Sequence, residues 1–155
     1  MSNDFTDNLL RSFVIHGVLC VVGIFLLVFT GGFGMLVNAI GAVVAYILLA
    51  RKYLKQLPQG NLLSVSGVSI LLVILFGAHH ILAAENIGEI LAFLNFPAIA
   101  LVDVALIPVE LVFGIDEFVF AESSSLVMLV AAFLPSLLMY LGLRLKIRDE
   151  EREDY

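Results

Sequence analysis

The sequence predicts an all-α integral membrane protein: a four-helix transmembrane bundle with a helical segment, extracytoplasmic and interfacial or re-entrant, between its third and fourth spans. Three observations predict it. The chain of 155 residues is 61% hydrophobic and only 14% charged, far from the composition of a soluble domain. The apolar residues fall in runs of spanning length, about 18 residues or more. All eight Lys and Arg lie at the flanks of these runs, whereas residues 85–125 hold seven acids and no base. Four spans and one connecting segment consume the length, so residues 1–155 form a single membrane domain.

The first span is residues 12–29. Before it, Asp4 and Asp7 sit where carboxylates favour a helix start, and Phe5, Leu9, Leu10 and Phe13 recur at helical spacing. The run is too long for a signal peptide and ends in no small-residue cleavage pattern. On it Gly17, Cys20 and Gly23 step by three, a stripe of small side chains where another helix could approach. Cys20 is the only cysteine, so no intramolecular disulfide forms.

The glycines of residues 30–34 permit a tight reversal, and the second span follows over residues 33–50. Gly41 and Ala45 make a small-xxx-small pair, and Asn38 is placed to hydrogen-bond across helices, where lipid offers no partner. With no Trp in the chain, interfacial anchoring falls to Tyr46, Tyr53, Tyr140 and the phenylalanines. Arg51, Lys52, Lys55 and a Pro58-Gln59-Gly60 turn form the first polar loop. The third span, residues 62–84, carries Ser64, Ser66 and Ser69 early and His79 and His80 late. The fourth, residues 126–143, contains Pro135, which should kink it, and runs into Arg144, Lys146 and Arg148.

With an even number of spans, every base lies on one side, the positive-inside pattern of a plasma or inner membrane protein with both termini cytoplasmic. The segment 85–125 then lies outside. A fifth crossing within it would place Asp103 and Glu110 at depth, at about 2.5–3.5 kcal/mol for a central carboxylate, and would move the basic flank after residue 143 to the other side. The segment instead reads as an amphipathic helix over 85–96 and a second stretch over 97–115 broken near Pro108, lying in the interface or dipping in and returning.

Residues that could carry chemistry are few. His79 and His80 precede Glu85 and Glu89 on one side of the membrane, yet adjacent helical positions point about 100° apart, unlike the i, i+4 pair of a helical metal site. His16 belongs to the opposite leaflet, so no metal or haem site is expected, and no cofactor. Asp103 and Glu110, seven residues apart, share a face if the helix continues through Pro108, and would serve an ion pathway or a solvated surface. No nucleophile–base pair, phosphate loop, zinc motif or basic nucleic-acid patch is present, so catalysis is not expected. The expected partners are the lipid bilayer and another membrane protein, an extracytoplasmic peptide or a second copy. Those contacts would use His79, His80, Glu85, Glu89, Asp103 and Glu110. Two readings remain: an accessory, regulatory or immunity-type interaction subunit, or a small oligomeric channel or transporter with Asp103 and Glu110 at a pore mouth.

Overall fold

The computed structural model describes residues 3–57, 60–82, 85–113 and 129–153. The side chains of 85, 86, 89, 103–113 and 151–153 lie outside the description. Among the described residues the fold is all helical: α1 Asn3–Thr30, α2 Gly32–Tyr53, α3 Asn61–Val65, α4 Gly67–Leu82, α5 Glu85–Phe113 and α6 Leu134–Glu153. Among the described residues, three helical stretches are long and apolar enough to cross a membrane: α1, α2 and Leu129–Glu150, which holds most of α6.

The α1–α2 link is a single residue. Gly31 takes a φ of 58°, open to glycine and strained for other residues, and its N–H still reaches the Leu27 carbonyl at 2.8 Å. Three residues on, Gly34 faces Thr30 and the Leu26 carbonyl so closely that a Cβ would collide with both. The reversal expected over residues 30–34 is therefore present and tighter than the sequence suggested.

The expected third span is divided. α3 stops at Val65, Ser66 turns with its N–H on the Leu63 carbonyl at 3.3 Å, and α4 resumes at Gly67. Gly67 is pressed against the side chains of Leu9 and Phe13 from α1, so the absence of a side chain lets the two helices meet at the break. Pro135 has the expected consequence in the last stretch. Lacking an N–H, it sits in the first turn of α6, just after a tight turn in which Phe133 N–H bonds the Val130 carbonyl at 3.1 Å.

α2 is the axis of the packing, in contact with α1, α5 and α6. Its inward face is Ala39, Ala42, Tyr46 and Ala50, all buried, spaced by three and four residues as one helical face requires. Ile15, Leu19, Val68, Leu72, Leu91, Met139 and Leu143 complete the core from the surrounding helices. The opposite faces carry exposed Val14, Val18, Phe25, Val28, Ile40 and Ile74, an apolar exterior suited to lipid.

The expectation for residues 85–125 needs correction in its first part. α5 does not lie off the bundle as a surface helix: Leu91, Asn95, Ala98 and Ala100 are buried, and the helix packs on α1, α2 and α4. It also runs unbroken through Pro97 and Pro108. The physical reason is that Ile90–Val102 is a continuous apolar helix, with Glu85 and Glu89 before it and Asp103 and Glu110 after it, so its own residues carry no charge to keep it from the core. The remaining residues of the segment, 114–125, lie outside the described residues, as do 126–128 of the expected fourth span.

Candidate functional site

Four basic residues, Arg11, Arg51, Lys55 and Lys146, come together at one end of the described helices. Asn8 of α1 holds the exit of α2 as a backbone strand would, its Nδ2 donating to the Lys55 carbonyl at 2.7 Å and its Oδ1 accepting from the Lys55 N–H at 2.8 Å. Arg11 donates to the Tyr53 carbonyl at 2.7 Å and pairs with Asp7 at 2.9 Å. Lys55 pairs with Asp4 at 2.7 Å and Asp7 at 3.2 Å. Lys146 of α6 donates to the Leu54 carbonyl at 3.0 Å, and Arg51 pairs with Asp149 at 2.8 Å. The start of α1, the end and exit of α2 and the second half of α6 are thus tied together. The Arg11 guanidinium, then Lys55, holds the Asp7 carboxyl below its ordinary range, and Asp4 and Asp7 raise the Lys55 ammonium. These pairs are solvent-exposed, so water and salt screen them and their weight in stability is small.

Deeper, α1, α2 and α5 meet at a buried polar cluster. His16 Nδ1 and the Tyr46 hydroxyl are 2.6 Å apart, and Cys20 donates to the Leu94 carbonyl of α5 at 3.2 Å with its Sγ 3.7 Å from His16 Nε2. Tyr46 is 1% exposed, so it is a core residue and not the interfacial anchor its type suggests. The sequence signal was available: His16 and Cys20 are four apart, one face of one helix, and Tyr46 lies on the inward face of α2.

A second buried node joins the two interrupted stretches. Ser136 Oγ donates to the Val65 carbonyl at 2.8 Å and accepts from Ser69 Oγ at 2.7 Å and Ser69 N–H at 3.3 Å. Val65 carbonyl and Ser69 N–H are the pair that would bond each other in an unbroken helix. The hydroxyl of α6 is inserted between them and satisfies both, as an interrupted helix in an apolar setting requires. Ser136 was not singled out from the sequence; its position directly after Pro135 was the available sign.

The residues expected at contacts divide. Gly23 is a true close approach, for a Cβ there would lie 2.6 Å from Asn38 Oδ1. Asn38 therefore packs across to α1, though its buried Nδ2 finds no hydrogen-bond partner among the described residues. Ala45 packs on the core. Gly17 and Gly41 face open space: a step of three turns each position back by about 60° on a helix of 3.6 residues per turn, so Gly17 and Gly23 point apart. Gly142, which the sequence did not flag, meets the Ile47 carbonyl of α2 directly.

His79 and His80 close α4, His80 against Phe76 with ring centroids 4.3 Å apart and His79 edge-on to His80 at 5.3 Å. His79 also covers Gly88 of α5, where a Cβ would come within 2.7 Å of the imidazole, so the histidine pair contributes to the α4–α5 contact. Among the described residues no group of three or more His, Cys, Asp or Glu side chains could hold a metal ion. Glu85, Glu89, Asp103 and Glu110 lie on the α5 backbone, with side chains outside the description. Comparison with known protein families, curated proteins and solved structures finds no match to the chain.

Proposed function

We propose that the chain is an interaction subunit of the plasma or inner membrane, accessory, regulatory or immunity-type, with no catalysis of its own. In this reading it is a four-helix transmembrane bundle with both termini cytoplasmic. One observation carries the reading. Among the described residues, the buried Ser69, Ser136, Tyr46, His16 and Cys20 side chains bond one another or backbone carbonyls of neighbouring helices, at Ser69–Ser136–Val65 and at Tyr46–His16 with Cys20–Leu94. They act as ties, and a substrate route would need some of them turned toward a passage. The gathering of Arg11, Arg51, Lys55 and Lys146 at one end supports the orientation, since the positive-inside pattern needs these bases on one side.

The partner would be a second membrane protein or an extracytoplasmic peptide drawn to the acids of 85–125. Native mass spectrometry of the protein gently extracted from its own membrane tests this directly. A defined complex with another protein, weakened by salt when the acids mediate it, is the expected result. A homo-oligomer of fixed number with nothing else bound would overturn it.

One observation favours a second reading, a small oligomeric channel or transporter. α5, the helix bearing Asp103 and Glu110, packs on α1, α2 and α4, which places a carboxylate-bearing helix against the bundle. In that case Asp103→Asn with Glu110→Gln abolishes ion or solute flux in liposomes; unchanged flux excludes it.

A further inference from the structure

At the basic end, α1 and α2 together line an open groove of about 370 Å³. Its walls are Leu10, Val14 and Val18 of α1 and Leu49 of α2, and its mouth is framed by Arg11 and Tyr53. The walls are hydrocarbon and the mouth is cationic. From Leu10 to Val18 the groove follows eight residues of α1, about 12 Å at 1.5 Å per residue, close to the roughly 15 Å that one leaflet contributes to a hydrocarbon core of about 30 Å. The slot therefore spans most of one leaflet, so an acyl chain seated in it would end about one helical turn beyond Val18, and in the orientation proposed above its mouth stands at headgroup level.

The charges at that mouth favour an anion. Arg11 spends two of its five N–H donors on Asp7 and the Tyr53 carbonyl, which fixes the guanidinium in place and leaves donors for another acceptor. The Lys52 ammonium lies 5.2 Å above the centre of the Tyr53 ring, on the lip of the groove. Of the neighbouring bases, Arg51 is taken by Asp149 and Lys55 by Asp4 and Asp7. Asp7 is thus shared between Arg11 and Lys55, and the lip formed by Arg11 and Lys52 keeps an excess of positive charge.

We propose that this groove is a site for an anionic phospholipid. One acyl chain lies along Leu10, Val14, Val18 and Leu49, and the phosphate is held by Arg11 and Lys52 beside the Tyr53 ring. An aromatic ring and two bases at the interface over an apolar slot match a phosphodiester on a hydrocarbon chain, and a zwitterionic lipid would bring its own cation against the same two bases.

The absence of tryptophan from the chain makes the test direct. Val22 lies one helical turn beyond Val18, exposed and outside the groove, so Val22→Trp places a single fluorophore at the expected end of the acyl chain. Ile40→Trp, on an exposed position of α2, reports ordinary surrounding lipid. The full chain is reconstituted in mixed vesicles in which either phosphatidylglycerol or phosphatidylcholine carries bromine near the acyl terminus. Expected is a preference for brominated phosphatidylglycerol at Val22→Trp of about fivefold, no preference at Ile40→Trp, and a preference falling toward unity when Lys52→Gln is added. Equal quenching by both lipids at Val22→Trp would overturn the proposal. So would a preference that Lys52→Gln leaves intact, or one of equal size at Ile40→Trp.

Discussion

Replacing Ser136 by alanine removes one hydroxyl and three hydrogen bonds, to the Val65 carbonyl, the Ser69 hydroxyl and the Ser69 N–H. All three partners are buried, so the cost is set by what they find instead. A buried polar group left unpaired costs about 1–3 kcal/mol. The Ser69 hydroxyl can turn back onto the Val65 carbonyl four residues earlier and recover one bond, which leaves the Ser69 N–H as the unpaired group. Interhelical hydrogen bonds in membrane proteins average about 0.6 kcal/mol with a maximum near 1.7, and this node lies at the upper end because one hydroxyl serves three partners. We expect a loss of about 1–2 kcal/mol in equilibrium unfolding in mixed micelles, and exchange at the Ser69 amide faster by about tenfold. Ser66→Ala is the control, because that hydroxyl donates to the Leu63 carbonyl of its own turn; it should change stability by less than about 0.5 kcal/mol. If Ser136→Ala behaves like Ser66→Ala and Ser69 amide exchange is unchanged, the inserted hydroxyl does not hold the break and the reasoning fails.

The remaining predictions follow from the same kind of contact. Gly142→Ala pushes a methyl group into the Ile47 carbonyl and should cost about 1–3 kcal/mol as α2 and α6 separate, whereas Gly17→Ala meets open space and should be neutral or slightly stabilising by helix propensity; parallel melting of the two variants decides it. Tyr46→Phe leaves the buried His16 Nδ1 without its 2.6 Å partner and should lower stability by about 1–3 kcal/mol, read by the same unfolding assay. At the basic end, Asp7 should titrate below its ordinary 3.8, by NMR of its carboxyl carbon, and Arg11→Gln should raise that midpoint. Since folding lowers this pKa, its contribution is present above 3.8 and is lost as pH falls through the folded-state value. The Lys55 contribution has the opposite sign: present below 10.5, it is lost as pH rises through the raised value.

Much of the architecture is written locally and could be read there. The apolar runs, the glycine-rich reversal and the proline interruption each depend on residues within a few positions of one another, and all three are present. The break at Ser66 was not legible, because residues 61–82 carry no proline there and the serine that stabilises the interruption comes from α6, seventy residues on. α5 misled for a related reason. The cost of placing Asp103 and Glu110 at depth and the position of the basic flank argued for the whole segment, whereas Leu91, Asn95 and Ala98 precede both acids and are buried by tertiary contacts. The His16–Tyr46 pair shows the same limit: each residue type suggests an interface or a ligand, and only the facing of α1 and α2 makes them a buried couple.

The axial place of α2 gives the order of synthesis a physical weight. α2 is completed early, yet the turn that carries Ile47 and Ala50 receives its cover only when Gly142 of α6 arrives, ninety-two residues after Ala50 in the chain. Until then the nascent protein presents that turn to lipid, and Val65 and Ser69 await the hydroxyl of Ser136. A chain truncated between α5 and α6 therefore has an unfinished core with identifiable open positions, the Ile47–Ala50 turn of α2 and the unbridged pair Val65 and Ser69.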